Sequence, residues 1–307
     1  MNTKVFSLKN SREIGKKITN IDLMTTKQFS DGEIKVEIEE SVRSNRVFVI
    51  GSLTTSDDII ELMMVGDALR RASAKEIIAV VPYLAYMRQD RKDKPRTAIG
   101  SKVMANMIEI YYDQIITMDL HSTQIEGFFN IPVTHINCAT IFEIYIRKNF
   151  DLSNVIIVSP DVGGAKRAKK LSSKMGLPLA IINKERKIAN EISSMELIGD
   201  VNSKDVIILD DMVDTAGSLC KASDLLIENG ANKVWGCATH GVLSGEAHNR
   251  ILNSSLEKLI CTDTIKIKDN EKIEILSCSD LIKKTIETIE SGNSINSLVN
   301  DETFLVN

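Results

Sequence analysis

The sequence is short of the features that mark several specialised classes of protein. It has no excess of basic residues, with 38 Lys and Arg against 42 Asp and Glu in 307 residues, so it offers no basic face for nucleic acid. No apolar run approaches the roughly 18 residues of a membrane span, and the first residues, MNTKVFSLKN, lack the apolar core of a signal peptide. We therefore expect neither a nucleic-acid partner nor a membrane partner.

Cysteine and histidine are sparse and scattered. The five cysteines include no C-x-x-C pair, and the four histidines do not cluster with them. This spacing argues against a structural zinc site. It predicts reduced, mostly buried thiols in a cytoplasmic protein.

The sequence is rich in short apolar runs that alternate with segments of helical length. RVFVIG (Arg46–Gly51) predicts a strand, and Asp57–Ala74 predicts an amphipathic helix. Continuous apolar strands between helices are typical of parallel sheets covered on both faces, so the predicted fold class is α/β. Six further runs are predicted strands: EIIAVVPY, QIITMDLH, VIIVSPD, LPLAIIN, VIILDD and KVWGCATHG.

A weak internal repeat indicates two domains. Gly66–Tyr83 and Ser223–His240 each contain a helix, a small residue, a lysine and a buried strand, and the length suits two copies of one α/β fold. We expect an N-terminal domain over residues 1–145 and a C-terminal domain over residues 146–307. The polar tail could pack back on the N-terminal domain.

One stretch, VIILDDMVDTAGSL (Val206–Leu219), joins an acid cluster to an anion-binding pattern. Its apolar strand ends where open α/β sheets bind ligands, and the residues DTAGS open a helix whose N-terminal N–H groups suit an anion. Asp210 and Asp211 would repel a bare phosphate, but carboxylates accept hydrogen bonds from sugar hydroxyls. The stretch therefore predicts a sugar-phosphate site. An N-capped helix after an acidic turn explains the same residues equally well.

Seven stretches together resemble, in order, the signature stretches of the ribose-phosphate pyrophosphokinase (phosphoribosyl pyrophosphate synthetase) family. They are FSDGEIKVEIEESVR, RASAKEIIAVVPYLAYMRQDRK, MDLHSTQIEGFFNIP, VSPDVGGAKRAKKLS, NKERKIANE, VIILDDMVDTAGS and ATHGVLSG. The resemblance implies two phosphoribosyltransferase-like domains, each with a mainly parallel sheet flanked by helices. It also implies transfer of the diphosphate of Mg-ATP to C1 of ribose 5-phosphate, with release of AMP and with Mg²⁺ as the cofactor.

The resemblance assigns FSDGE and RQDRKDK to the ATP site, and in the family the first segment comes from a neighbouring subunit. An aromatic ring and a guanidinium can stack on adenine, while an amide can contact its edge. There is no G-x-x-x-x-G-K-[ST] pattern and no kinase glycine loop. Taken alone, RQDRKDK is more typical of a solvated charged loop. The implied ATP-binding residues are Phe29, Asp31, Gly32, Glu33, Arg88, Gln89 and Asp93.

For the metal, the resemblance points to His121 and Asp161. Magnesium strongly prefers oxygen ligands and keeps several waters, so Asp161 is the expected ligand, and His121 acts through a water or on a phosphate. The glycines at 163 and 164 would let the backbone approach a diphosphate. A structural histidine and a glycine-rich turn are the competing interpretations.

Lys184 and Arg186 are the implied catalytic residues. They lie two apart, so on an extended segment they share a side, and two cations can clamp a transferring phosphoryl group. The resemblance places them on the family's catalytic loop, whereas without it surface charge is the simpler interpretation. The implied ribose 5-phosphate residues are Arg186, Asp210, Asp211, Asp214, Thr215, Ala216, Gly217 and Ser218.

Regulation and assembly follow from the resemblance alone. Ser41, Arg43 and Gln124 lie where the family's phosphate and ADP regulatory site draws residues, but whether phosphate activates and ADP inhibits stays open. A homo-oligomer of dimers, up to a hexamer, is implied. Two other functions remain open: a phosphoribosyltransferase that consumes the same product, and a catalytically inactive regulatory relative.

Overall fold

The computed structural model describes residues 2–19, 23–185 and 194–295. Arg186 and the end of the polar tail lie outside the described residues. The chain forms two compact units: the first runs to Asn137 and resumes at Ser277, and the second spans Cys138–Leu276. The proposed boundary between residues 145 and 146 stays a prediction.

The described residues contain fourteen strands and eight α-helices. The strands are β1 (Thr3–Ser7), β2 (Met24–Gln28), β3 (Ile34–Ile38), β4 (Arg46–Ile50), β5 (Glu76–Val81), β6 (Gln114–Met118), β7 (Val133–Ile136), β8 (Val155–Ser159), β9 (Leu179–Glu185), β10 (Ser194–Ile198), β11 (Asp205–Val213), β12 (Lys233–Gly241), β13 (Lys258–Thr262) and β14 (Ile273–Leu276). The helices are α1 (Arg12–Ile18), α2 (Ser56–Arg71), α3 (Gly100–Ile108), α4 (Ala139–Asn149), α5 (Ala165–Met175), α6 (Gly217–Glu228), α7 (Ala247–Leu252) and α8 (Ser279–Glu290).

The first unit is built on a five-stranded sheet in the order β1-β4-β5-β6-β7, in which all neighbours are parallel. Its central strands bury nearly every side chain because helices cover a parallel sheet. Thr55 and Asp58 form a capping box that starts α2. A separate antiparallel ribbon, β2–β3, contacts α2, and α8 packs against α1.

The second unit is built on a seven-stranded sheet in the order β10-β9-β8-β11-β12-β13-β14. All pairs are parallel except β10 with β9. The central strand β11 is apolar on both faces at Val206–Leu209, and its neighbours bury these side chains. The carboxyl ends of β8, β11 and β12 therefore lie side by side, where the loops to α5, α6 and α7 begin.

The predicted α/β class, with two mainly parallel sheets flanked by helices, is confirmed. Two strands, β9 and β11, are longer than the apolar runs in the sequence that predict them. β11 continues to pair with β12 as far as Val213 opposite Gly241, although its pairing with β8 stops at Ile208 opposite Val158. β9 likewise extends to Glu185 because β10 pairs with it. Sequence-predicted site residues consequently lie on strands.

Within the described ranges, no helix combines the length and the apolar character needed to cross a bilayer. The cysteines fit the prediction of mostly buried thiols. Cys138, Cys237, Cys261 and Cys278 are buried, and Cys220 is half-buried.

Candidate functional site

The predicted phosphate-binding residues lie at the carboxyl end of β11. Asp214, Thr215 and Ala216 connect this strand to α6, which begins at Gly217. Ala216 has φ +60°, a left-handed conformation that is unusual for a residue with a side chain. In this described segment no side chain caps α6. The first N–H groups of the helix, which have no partner within the helix itself, therefore open toward the loop.

Two carboxylates of β11, just before this loop, contact one guanidinium of α5. Arg167 on α5 donates from Nη1 to Asp211 Oδ1 at 2.9 Å and lies 3.6 Å from Asp210 Oδ1. The backbone N–H of Asp211 donates to Asp210 Oδ1 at 2.9 Å. Burial, followed by the negative charges of Asp211 and Asp161, raises the pKa of Asp210 well above its usual range, and Arg167 opposes the rise. The site therefore concentrates negative charge that a cation or sugar hydroxyls would stabilise.

Asp161 lies in the turn between β8 and α5. Its Oδ1 accepts a hydrogen bond from the N–H of Gly164 at 2.8 Å, and its carbonyl accepts one from Ser159 Oγ at 2.7 Å. A Cβ at position 164 would lie 3.0 Å from Ser159 Oγ, so glycine lets the turn close tightly. One carboxylate oxygen of Asp161 thus stabilises the turn. The Asp161 side chain is half-buried and lies close to the acids Asp210 and Asp211.

Lys184 lies on β9 opposite Met195 of β10, and its side chain is half-buried. The chain is an extended strand as far as Glu185, because antiparallel pairing with β10 holds it in that conformation. Its partner in the predicted catalytic pair, Arg186, lies outside the described residues.

In the first unit, the predicted FSDGE segment forms the tip of the β2–β3 ribbon. Phe29 is 52% exposed. Its N–H donates to Glu33 O at 2.8 Å, and Gly32 takes φ +94°, a conformation that glycine adopts without strain. The Asp31 carboxylate accepts from the Glu33 N–H at 3.1 Å. The tip is therefore an ordered turn that presents an aromatic ring to solvent.

The second predicted ATP segment follows β5. Arg88, Gln89 and Asp93 are all exposed there. Asp90, which the sequence did not single out, accepts hydrogen bonds from Ser122 Oγ at 2.7 Å and from Gln124 Nε2 at 2.9 Å. It thereby joins this loop to the segment that follows β6. Of the candidate regulatory residues, Gln124 is in this network, and Ser41 and Arg43 are exposed before β4.

His121 is exposed and directly follows the buried Leu120, just beyond the end of β6, in a segment whose backbone is held by a second histidine. His135 Nε2 accepts from the Leu120 N–H at 3.0 Å, and His135 Nδ1 lies 2.6 Å from Glu126 Oε1. An Nε2 that accepts must be unprotonated, so Nδ1 carries the proton and donates to Glu126. The pair supports the backbone next to His121.

The described residues contain no group of three or more His, Cys, Asp or Glu side chains arranged to hold a metal ion. Magnesium does not need such a group, because it is often bound through one or two carboxylates together with substrate phosphates and waters. Asp161, half-buried beside the acid pair Asp210–Asp211, fits this mode of binding. No local sequence pattern pairs Arg167 with these acids, since the contact spans 44 positions along the chain.

Fold and loop geometry together define a class: a two-unit α/β protein whose second sheet presents a helix N-terminus beside paired carboxylates. Two family models match the chain. The model for the N-terminal domain of ribose phosphate pyrophosphokinase matches residues 3–111, and the model for the phosphoribosyl synthetase-associated domain matches residues 187–300.

Relatives agree with these matches along almost the whole chain. A ribose-phosphate pyrophosphokinase of Porphyromonas gingivalis is 46% identical over 97% of this chain and 97% of its own length, and that of Aquifex aeolicus is 46% identical over 93% and 92%. A solved phosphoribosylpyrophosphate synthetase of Mycobacterium smegmatis shares 33% identity with a TM-score of 0.89, covering 95% of this chain and all of that one. The chain belongs to the ribose-phosphate pyrophosphokinase family, and it is an enzyme of the diphosphotransferase type.

Proposed function

We propose that the chain synthesises 5-phosphoribosyl 1-pyrophosphate from ATP and ribose 5-phosphate and releases AMP. The observation that carries the proposal is the uncapped start of α6, which a short loop joins to the strand that contains Asp210 and Asp211, in a chain of this family. The helix start offers N–H donors to the 5-phosphate. The two acids offer acceptors to the ribose hydroxyls.

The ribose 5-phosphate pose follows from these two features. The phosphate lies on residues 214–218, and the ribose hydroxyls lie against Asp210 and Asp211. Arg167, at 2.9 Å from Asp211, stabilises the ionised form of that carboxylate and keeps it oriented. The C1 hydroxyl is then left exposed for reaction.

ATP is assigned to the first unit. Arg88 would contact phosphates and Gln89 the adenine edge, and both side chains are exposed in the loop after β5. Phe29 would stack on adenine, and its exposure at the tip of the β2–β3 ribbon supports a role toward a neighbouring copy of the chain. A homo-oligomer built from dimers, up to a hexamer, is part of this proposal.

In the reaction, the C1 oxygen attacks the β-phosphorus, the bond from the β-phosphorus to the α,β-bridging oxygen breaks, and AMP leaves with that oxygen. The C1 hydroxyl gives up its proton, and no covalent enzyme intermediate is required. Lys184 and Arg186 would stabilise the negative charge that develops between the β-phosphorus and the leaving oxygen. Asp161 would hold Mg²⁺, with His121 acting through a water or a phosphate, and the ion would offset the charge of the phosphates.

The test is incubation of the purified protein with Mg²⁺, ribose 5-phosphate and ATP labelled at the β-phosphate. One AMP should form for each labelled 5-phosphoribosyl 1-pyrophosphate, and ribose without its phosphate should support far less turnover. Formation of ADP in place of AMP would contradict diphosphate transfer. No turnover at all would favour the inactive relative, and consumption of added product with a nucleobase would favour a phosphoribosyltransferase.

A further inference from the structure

The segment that follows β12 contacts the phosphate-binding loop at one backbone carbonyl after another. The N–H groups of Val242 and Leu243 both donate to Val213 O, at 2.9 and 3.1 Å. The N–H of Ser244 donates to Asp214 O at 3.1 Å. Two successive carbonyls at the end of β11 are therefore held from the same side.

Two side chains of this segment extend the pattern. Arg250 on α7 donates from Nη1 to Thr215 O at 2.8 Å, and Ser244 Oγ donates to the Asp214 carboxylate. The carbonyls of Val213, Asp214 and Thr215 are thus all engaged by residues 242–250, which we call the β12–α7 bracket.

A peptide unit is planar and trans, so its C=O and N–H bonds point in opposite directions. Carbonyls 213 to 215 face the β12–α7 bracket, and the N–H groups of Asp214, Thr215 and Ala216 consequently face away from it. The left-handed φ of +60° at Ala216 then leads into α6, whose first N–H groups follow. Successive N–H groups on one side of a turn form an anion-binding concavity.

Arg250 also brings charge to the loop. Its Nη1 would lie 3.9 Å from a Cβ placed on Gly217, so the guanidinium borders the first turn of α6. The side chain is exposed. A guanidinium has five N–H donors, and only one is needed for the carbonyl of Thr215.

We propose that the β12–α7 bracket orients the phosphate-binding loop, with Arg250 as a positioning residue that acts through the Thr215 carbonyl and favours the 5-phosphate by its charge. The inference rests on the proposed assignment of residues 214–218 to ribose 5-phosphate. Its distinct claim is that affinity for the sugar phosphate depends on residues 242–250 and affinity for ATP does not.

The test compares Arg250→Gln, Arg250→Lys and Ser244→Ala with the parent by calorimetric titration of ribose 5-phosphate and of Mg-ATP, each alone, and by steady-state kinetics. Loss of a charged hydrogen bond predicts that Arg250→Gln weakens ribose 5-phosphate binding about tenfold or more. KM for ribose 5-phosphate should rise in parallel, with kcat and the KM for ATP within about threefold. Ser244→Ala should show the same pattern at a smaller size, and Arg250→Lys should retain most of the affinity.

Arg71→Gln is the matched control, because Arg71 is an exposed arginine of α2 that forms an ion pair at 2.7 Å with Asp67 of the same helix. Ribose 5-phosphate affinity within twofold of the parent in Arg250→Gln would overturn the proposal. The proposal would also be overturned if Arg250→Lys lost affinity for ribose 5-phosphate and for Mg-ATP equally and had a lowered melting temperature. Arg250 would then support the fold as a whole. A parent protein that binds no ribose 5-phosphate would instead overturn the proposed function.

Discussion

Arg167 of α5 and Asp211 of β11 form an ion pair, with Nη1 at 2.9 Å from Oδ1. The same guanidinium lies 3.6 Å from Asp210 and opposes the rise in the pKa of that carboxyl. One cation thus lies beside both acids that are proposed to bind the ribose hydroxyls.

Replacing Arg167 with Gln should raise the pKa of Asp210 further, because a cation that opposes the rise is removed. At a given pH, a smaller fraction of the molecules then has Asp210 ionised and able to accept hydrogen bonds from the ribose hydroxyls. We expect kcat/KM for ribose 5-phosphate to fall by about tenfold or more near neutral pH and to recover partly as the pH rises. A pH profile of kcat/KM measures this, with Arg71→Gln as the control. An unshifted acidic limb would contradict the assignment.

Lys184→Ala should reduce kcat by roughly two or more orders of magnitude, because a cation aimed at the charge of the transition state is lost. Ribose 5-phosphate affinity should change little, since the binding loop lies on β11 and α6. Single-turnover kinetics and a binding titration separate the two effects. Lys233→Ala, at the amino end of β12, is the matched control. Turnover of Lys184→Ala within a few-fold of the parent would exclude the role.

Asp210→Asn should increase the free energy of unfolding near neutral pH in metal-free buffer. The folded-state pKa of Asp210 is raised, so the folded chain binds its proton more tightly than the unfolded chain does. The stability that this proton contributes is present at low pH, and it is lost as the pH rises from the ordinary carboxyl range through the folded pKa. The gain from Asn should therefore shrink as the pH falls toward about 4. Denaturant titrations at several pH values would show it, and a gain that grows on acidification would refute it.

Ala216 offers a test of the loop's backbone geometry. At φ +60° a β-branched side chain is strongly disfavoured, and Ala216 is 4% exposed. Ala216→Val should cost roughly 2 kcal/mol of stability and weaken ribose 5-phosphate binding. Ala216→Gly should change stability by less than about 1 kcal/mol, because relief of strain is offset by greater freedom in the unfolded chain. Equal melting temperatures for Val and Gly variants would show that this conformation is not maintained in solution.

Strands and helices with a clear local pattern of apolar residues were predictable from the sequence. KVWGCATHG was a predicted strand, and β12 covers the same residues. The helix predicted over Asp57–Ala74 is α2, Ser56–Arg71, and it ends early because Ser73 takes a left-handed φ of +65°. The β2–β3 ribbon was missed, since its two strands bury only Met24 and carry several exposed polar residues.

The residues that support the site were not predictable in the same way. The loop 214–218 and its acids stand together in one stretch of sequence. Arg167 and Arg250 reach that stretch from 44 and 35 positions away. Their contacts exist only once parallel strands bring the loops at their carboxyl ends side by side, and no periodicity or motif encodes that proximity.

The return of the chain to the first unit has a consequence for biosynthesis. α8 buries Leu281, Ile282 and Ile286 in the first unit, where it packs on α1. The apolar surface of α1 is therefore covered only after α8, far later in the chain, has been synthesised. During translation the amino-terminal half stays incomplete while the second unit is made. Truncation after Leu276 should leave an aggregation-prone, protease-sensitive product, even though every residue proposed for catalysis is still encoded.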